Sequence, residues 1–462
     1  STMRNGVSSL PRFRLRASCV GVVRGGPPAF HREIVALCGR ARKRISLSAL
    51  YLGTGPRERE VVEALREARA RSVRVSIILD GARARRRDRQ GETSLSALAS
   101  TGARVCTVDD LPRRRRWIAA TLDLLRGTRL GDFLGIVAEI LAVYHVKVIA
   151  ADDVTLLSGA NLSETYFTDR IDRYLRVRDR AFAEWHHDLV DLLFSNPRVD
   201  DAFIRALTTL TSTKEEEDGG KKCHKRPQRP RRWRQRPQSR QRRRRPFTKR
   251  GRDDDDFDEA WCSPALHLGG TALVQHDDLV AAFLAEGRAA ASKKARIGIA
   301  TAYCNPPADL LEALATAPVP VDVVAPSIAA HGFYGATDVR GNVPIAYQLI
   351  ARDVVRRFDA SNHHGSHGRQ KTKRLKEWRS DDATTGTFHA KGAWLQVGRR
   401  VVATLVGSSN FNVRAKLRDF ELSYLLSTSN RRLQRDLTAE WATYRRLATH
   451  PSTLLADARP PF

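Results

Sequence analysis

The sequence predicts an α/β protein of two pseudo-twofold-related lobes, each a mixed β-sheet sandwiched by helices, with one active site between them. Three observations carry this reading. Apolar, β-branched runs alternate with stretches of helical periodicity on both sides of one charged low-complexity tract. The length, 462 residues, fits two or three ordinary domains rather than a single core. A short constellation of His, Lys, Asn and an acid occurs once in each half.

Taken in order, residues 1–29 form a basic N-terminal segment. Six arginines and no acid precede Glu33, a composition shared with mitochondrial transit peptides, and a basic first strand is the alternative. The first lobe spans 30–213. Arg44 to Leu52 reads as a strand, Pro56 to Ala70 as a helix with an Arg/Glu-rich outer face, and Val73 to Leu79 as a strand closed by Asp80-Gly81. A helix around Ser94 to Ser100 and a strand at Val105 to Val108 follow, then two strands, Val143 to Ala150 and Val154 to Leu157, around an Ala151-Asp152-Asp153 turn. Gly53-Thr54-Gly55 lacks the G-K-[ST] ending of a nucleotide loop and reads as a strand-to-helix turn. Residues 214–259 lose all periodicity and are expected to be a disordered insertion. The second lobe, 260–462, resumes with strands at Arg296 to Ala302 and Val319 to Ala325 and helices at Pro307 to Ala315 and Pro344 to Phe358. Ser361 to Thr387, with His363, His364 and His367, reads as a solvated loop without metal-ligand spacing.

Eighty Lys and Arg against fifty-one Asp and Glu leave +29. Such a balance suits a polyanionic partner: nucleic acid, an anionic membrane or phosphorylated substrates. The tract 214–259 holds eighteen basic and ten acidic residues, so +21 resides on the rest of the chain. The six cysteines show no C-x-x-C spacing and read as free thiols. No apolar run is long enough for a transmembrane span. Arg113 to Arg116, Trp117 and the apolar stretch to Val143 read as an ordinary amphipathic lid or core helix, with an interfacial helix with basic flanks as the functional alternative.

The H-x-K triplet occurs only twice, as His145-Val146-Lys147 and His389-Ala390-Lys391. Each leads through two strand-like runs to a small-residue loop ending in Asn161 or Asn410, and an acid, Asp172 or Glu421, stands eleven residues past each Asn. With thirteen His and fourteen Lys, chance supplies about 0.4 such triplets before the rest is required. The chemistry needs these types. An imidazole attacks phosphorus or hands over a proton near neutral pH, while Lys and Asn donate to non-bridging phosphoryl oxygens. Two copies about a pseudo-twofold bring two imidazoles to one phosphorus. The acids then hydrogen-bond the far ring nitrogens and fix tautomer and orientation.

On these residues the chain resembles the phospholipase D superfamily, whose signature H-x-K-x4-D followed by G-S-x-N is present twice. Asp152 stands at the first aspartate position, a structural one in the superfamily, and Gln396 replaces the second. Within the superfamily it is similar to the eukaryotic mitochondrial phosphatidylglycerophosphate synthases, whose second motif also lacks the aspartate. Ser48 to Gly55, Leu156 to Asn161, Tyr166 to Thr168, Asp172 to Tyr174, Phe388 to Trp394, and Gly407 to Phe411 with Arg414, Asp419 and Glu421 carry the resemblance.

The resemblance implies two phospholipase D-like lobes and transfer of a phosphatidyl group from CDP-diacylglycerol to glycerol 3-phosphate, releasing CMP, at an anionic membrane surface on the matrix face of the inner mitochondrial membrane. It implies a phosphohistidine intermediate and no metal or other cofactor. His145 or His389 is nucleophile and the other the acid, and Lys147, Lys391, Asn161 and Asn410 hold the phosphoryl oxygens. Glu421 orients His145 and Asp172 orients His389, with Arg173 and Arg414 as candidates for substrate phosphate. A water-using phosphodiesterase, nuclease or phospholipase, is the alternative enzyme, and a basic nucleic-acid scaffold the non-enzymatic one. Nucleic acid is not the expected partner, and no oligomeric state is assigned.

Overall fold

The computed structural model describes residues 10–109, 111, 142–196, 199–212, 258–337, 339–364, 373–379 and 386–449. The expected amphipathic helix, the body of the charged tract and His367 lie outside these residues.

The chain runs through β1 (Phe13–Leu15), β2 (Val20–Val22), α1 (Gly26–Arg40), β3 (Arg44–Ala49), α2 (Pro56–Ala70), β4 (Arg74–Asp80), α3 (Gly81–Ala84), α4 (Ser94–Ala99) and β5 (Arg104–Val108). After 142 it continues with β6 (Val148–Ala151), β7 (Val154–Ser158), α5 (Glu164–Thr168), β8 (Tyr174–Arg178), α6 (Arg180–Ser195) and α7 (Asp201–Leu210). The second half holds β9 (Ala260–Leu268), α8 (Gln275–Ala289), β10 (Ala295–Ala300), α9 (Ala308–Ala315), β11 (Val321–Pro326), α10 (Val343–His364) and β12 (Lys373–Trp378). It closes with β13 (Gly392–Val397), β14 (Arg400–Gly407), α11 (Val413–Leu417), β15 (Phe420–Thr428), α12 (Arg431–Arg446) and β16 (Ala448–Thr449).

The helices start where their sequences prescribe. Pro56 opens α2 and Val61, Ala64, Leu65 and Ala68 form its buried stripe. Asp179 caps α6 and Asn430 caps α12, each side chain accepting a backbone N–H from inside the first turn.

The first sheet is ordered β2-β8-β7-β6-β3-β4-β5 and the second β1-β9-β15-β14-β13-β10-β11-β12-β16. Six strands correspond one to one. In both sheets the first four, β8-β7-β6-β3 and β15-β14-β13-β10, pair antiparallel and the next two pair parallel. This is the expected pseudo-twofold repeat.

The two lobes share one core. Leu157, Leu175 and Val177 from the first sheet pack in the same cluster as Leu266, Trp394, Leu422 and Leu426 from the second. Burial of such apolar surface, worth about 25 cal/mol per Å², binds the halves into one body.

Two expectations need correction, and of the two readings of the N-terminal segment the structure shows the basic first strand. Residues from 10 onward belong to the fold: β1 pairs with β9 in the second sheet and β2 with β8 in the first. Arg14 pairs with Glu259, and Ser18 bonds Asp258 through both its backbone N–H and its hydroxyl. The last two acids of the charged tract are thus structural anchors for the basic N-terminal segment. The stretch Ser361 to Thr387 is not all loop, because α10 runs on to His364 and β12 pairs parallel with β11. The Lys/Arg-rich sequence of β12 hides a strand that buries Leu375, Glu377 and Trp378.

Candidate active site

Each H-x-K triplet lies in an extended stretch just ahead of its strand, since β6 begins at Val148 and β13 at Gly392. The triplets sit outside the sheets because their backbone partners lie in the opposite lobe. His145 N–H donates to Phe420 O (2.8 Å) and Phe420 N–H to Val143 O (3.0 Å). In the mirror arrangement His389 N–H donates to Ile171 O (2.8 Å) and Ile171 N–H to Thr387 O (2.8 Å).

Each histidine is therefore clamped to the residue preceding the other lobe's acid, and the side chains meet. His145 Nδ1 lies 2.9 Å from Glu421 Oε2, and His389 Nδ1 lies 2.7 Å from Asp172 Oδ2. A carboxylate at Nδ1 favours the tautomer with the proton there and leaves the Nε2 lone pair available, although at His389 the Lys391 ammonium also lies 2.7 Å from Nδ1.

Both lysines curl back onto their own triplets. Lys147 Nζ donates to His145 O (2.9 Å) and Lys391 Nζ to His389 O (2.9 Å). Lys391 also bonds Asp172 Oδ2 (3.0 Å) and reaches Gly159 O (3.3 Å) across the lobe boundary. Gly159 is required there: a Cβ on it would stand 2.7 Å from both Gly407 O and Lys391 Nζ. Among the described residues the buried Oδ1 atoms of Asn161 and Asn410 have no hydrogen-bond partner, one on each side of the site.

The two halves differ electrostatically. Burial, reinforced by Lys147, holds His145 well below the usual imidazole range, and burial with Lys391 does the same to His389. Both rings rest neutral. Burial opposes the Asp172 charge, yet Lys391 and His389 hold its carboxyl below the ordinary range. Glu421 has Ser408 Oγ as a hydrogen-bond donor but no lysine bonded to it, and burial pushes it up to about 7. Lys147, desolvated and without a bonded carboxylate, falls to about 7.

Tyr166, which sequence reasoning left without a role, breaks the symmetry further. Its hydroxyl is 3.0 Å from His389 Nε2 and accepts from Asn161 Nδ2 at 3.2 Å. The hydroxyl proton is then free to point at the Nε2 lone pair. His145 Nε2 has no such partner among the described residues.

Asp152 sits in the turn between β6 and β7. At φ +50° its carboxylate accepts the backbone N–H groups of Arg42, Lys43 and Arg44, tying the turn after β6 to the start of β3. The Gln396 side chain donates to the nearby Gly398 O.

Arg173 is a correction. It is fully buried, bonds Glu440 through Nε and Nη2 (2.9 and 2.8 Å), and donates further to Leu405 O and Thr404 Oγ1. A phosphate has no access to it. Arg414 is half-buried on Asp419 and its charge acts on His145. Three residues ahead of Arg173, Arg170 stands over the Tyr166 ring at 4.9 Å, a position the sequence reading passed over.

Among the described residues no group of three or more His, Cys, Asp or Glu could hold a metal, and no helix is long and apolar enough to cross a membrane. The five described cysteines are unpaired.

Residues 34–191 match the family model described as cardiolipin synthase, PLD-like domain. A probable CDP-diacylglycerol–glycerol-3-phosphate 3-phosphatidyltransferase of Dictyostelium discoideum is 26% identical over 93% of this chain and 73% of its own length. The mitochondrial enzyme of that name from Homo sapiens is 28% identical over 93% of this chain and 78% of its own. The Schizosaccharomyces pombe enzyme is 25% identical over 93% and 89%. Among solved structures, phosphatidylserine synthase from Haemophilus influenzae superposes with a TM-score of 0.66 at 19% identity, covering 97% of this chain and 91% of that one. That likeness is one of fold.

Proposed function

We propose that this chain, which carries a phospholipase D-like domain and is related along nearly its whole length to CDP-diacylglycerol–glycerol-3-phosphate 3-phosphatidyltransferases, is a phosphatidyltransferase of phospholipid synthesis. It joins the phosphatidyl group of CDP-diacylglycerol to glycerol 3-phosphate, forming phosphatidylglycerophosphate and CMP. The observation that carries the site assignment is the crossed pair of histidine–carboxylate contacts, His145 on Glu421 and His389 on Asp172, each built from both lobes.

The mechanism follows from the asymmetry. His145, neutral and with Nε2 open, attacks the phosphatidyl phosphorus. The P–N bond forms as the P–O bond to CMP breaks, and His389 delivers a proton to the departing phosphate. His389 rests neutral, so it must gain that proton as the anionic substrate enters; the substrate's charge beside it raises its affinity for a proton. The glycerol hydroxyl then attacks the phosphohistidine and gives its proton to His389 Nε2, and the P–N bond breaks to regenerate His145. Lys147, Lys391, Asn161 and Asn410 stabilise the phosphoryl oxygens throughout.

The lipid donor places the enzyme at an anionic membrane surface as a peripheral protein. Its relatives' mitochondrial names support a mitochondrial location, on the matrix face of the inner membrane in this reading. The net charge outside the arginine tract suits both bilayer and substrates.

The test is one assay of purified full chain in detergent micelles containing CDP-diacylglycerol. Radiolabelled glycerol 3-phosphate should enter lipid with stoichiometric CMP release, and single-stranded DNA should stay intact. His145→Ala and His389→Ala should each lower the rate by at least about 10² to 10⁴. Either variant retaining more than a few per cent of wild-type transfer, or DNA cleavage in place of transfer, would sink the proposal.

A further inference from the structure

We propose that Arg170 is the seat of the acceptor's own phosphomonoester and so determines that the acceptor is a phosphorylated polyol rather than a free one; this rests on the transferase reading above. The site chemistry described so far accounts for one phosphorus, the one under attack. A glycerol 3-phosphate acceptor brings a second dianionic group that also needs a partner.

Arg170 fits that need by position and by charge balance. It is half-buried, with Nε donating to Thr387 Oγ1 (3.0 Å) and Nη2 to Gly332 O (3.2 Å). Both partners are neutral, and no carboxylate pairs with it among the described residues. A guanidinium withdrawn from water without a counter-ion is costly, and an anionic ligand removes that cost. Arg173, by contrast, has its charge matched by Glu440.

The geometry joins Arg170 to the reacting nitrogen. Its guanidinium lies 4.9 Å from the Tyr166 ring centre, the Tyr166 and His389 rings are 4.8 Å apart, and the Tyr166 hydroxyl touches His389 Nε2. A three-carbon acceptor, at roughly 1.5 Å per bond and with a hydrogen bond at each end, spans from Nε2 to that guanidinium. Its hydroxyl would replace the Tyr166 hydroxyl at Nε2 while its phosphate docks on Arg170. Two further guanidinium groups, Arg83 over the Tyr51 ring at 4.5 Å and Arg414, act on Tyr303, whose ring stands edge-on to His389 at 6.1 Å. Arg414 has its charge matched by Asp419, so the guanidinium next to the Tyr166–His389 pair that lacks a bonded carboxylate among the described residues is Arg170.

The test has a binding arm and a turnover arm, both on the full chain. In equilibrium dialysis without CDP-diacylglycerol, wild type should bind radiolabelled glycerol 3-phosphate far better than glycerol. Arg170→Gln should weaken that binding on the order of 10²-fold, the cost of removing a charged partner from a buried anion contact. Arg170→Lys, which keeps the charge but loses the fork, should fall between. Thr387→Val, which removes a support of Arg170 and leaves the charge, should bind like wild type. In turnover, the preference for glycerol 3-phosphate over glycerol, as a ratio of kcat/KM, should collapse in Arg170→Gln through the acceptor KM.

Equal binding by Arg170→Gln and wild type would overturn the assignment, as would a loss in Thr387→Val as large as in Arg170→Gln. Wild type that binds glycerol 3-phosphate through Arg170 yet transfers nothing to it would break the transferase reading and leave the phosphate seat standing.

Discussion

Replacing each His-orienting acid by its amide separates the two halves of the site. Asp172→Asn removes a carboxylate that meets His389 Nδ1 at 2.7 Å and Lys391 Nζ at 3.0 Å, with the Asp172 and Lys391 side chains both 0% exposed. Without it, Lys391 is a buried ammonium lacking its counter-charge, and breaking such a pair costs about 3–5 kcal/mol. The amide can also turn its NH₂ toward Nδ1 and force the imidazole into the wrong tautomer, a change that costs on the order of 10⁴ in kcat in a serine protease triad. Glu421→Gln differs. Burial already brings the Glu421 carboxyl to about 7, and among the described residues no lysine is bonded to it, so the amide removes less charge there than at Asp172. Its cost should stay near that of one neutral hydrogen bond, about 0.5–1.5 kcal/mol. Urea denaturation at pH 7 and CMP release in micelles measure both. If Glu421→Gln lost as much stability as Asp172→Asn, or Asp172→Asn kept more than a tenth of wild-type kcat, the assigned charge states would be wrong.

Gly159→Ala should cost about 1–3 kcal/mol from overpacking against Gly407 O and Lys391 Nζ and should impair transfer, since the lysine has to move; a fully active variant with unchanged Tm would contradict the close approach. Arg173→Met should destabilise by about 3–5 kcal/mol, leaving Glu440 buried and unpaired, and Arg173→Met with Glu440→Leu should recover much of that in a denaturation series. Stability should fall as pH drops below about 6.5, because six histidines, His145, His186, His187, His276, His331 and His389, are held by burial below their unfolded value. The unfolded chain then binds protons that the folded one refuses, and the four carboxyls shifted upward, Glu421 at about 7 with Glu58, Asp278 and Asp419, oppose this with fewer groups. A urea midpoint that holds steady from pH 7 to 5.5 would refute it. The kcat/KM profile should decline above about 7 as the free enzyme's Lys147 loses its charge, whereas the kcat profile should extend higher, because bound phosphate keeps the ammonium protonated.

The sequence by itself determined what is local or repeated. The bounds of α2 follow from Pro56 and the Val61-Ala64-Leu65-Ala68 stripe, and both halves of the site follow from recurrence of His, Lys, Asn and acid at matched spacing. The β12 strand escaped because its basic residues mask the few side chains it buries. The choice between Arg170 and Arg173 was equally hidden: three residues apart in one segment, they differ only in whether Glu440, far along the chain, stands beside them. Tertiary structure alone also decided that Tyr166 caps His389 Nε2 and leaves His145 open, and that Asp172 gains a lysine while Glu421 gains a hydroxyl. The reason is physical. Residue types and their spacing limit what chemistry a segment offers, but charge state, tautomer and access depend on desolvation and on partners more than two hundred residues away, and only the packed lobes bring those together.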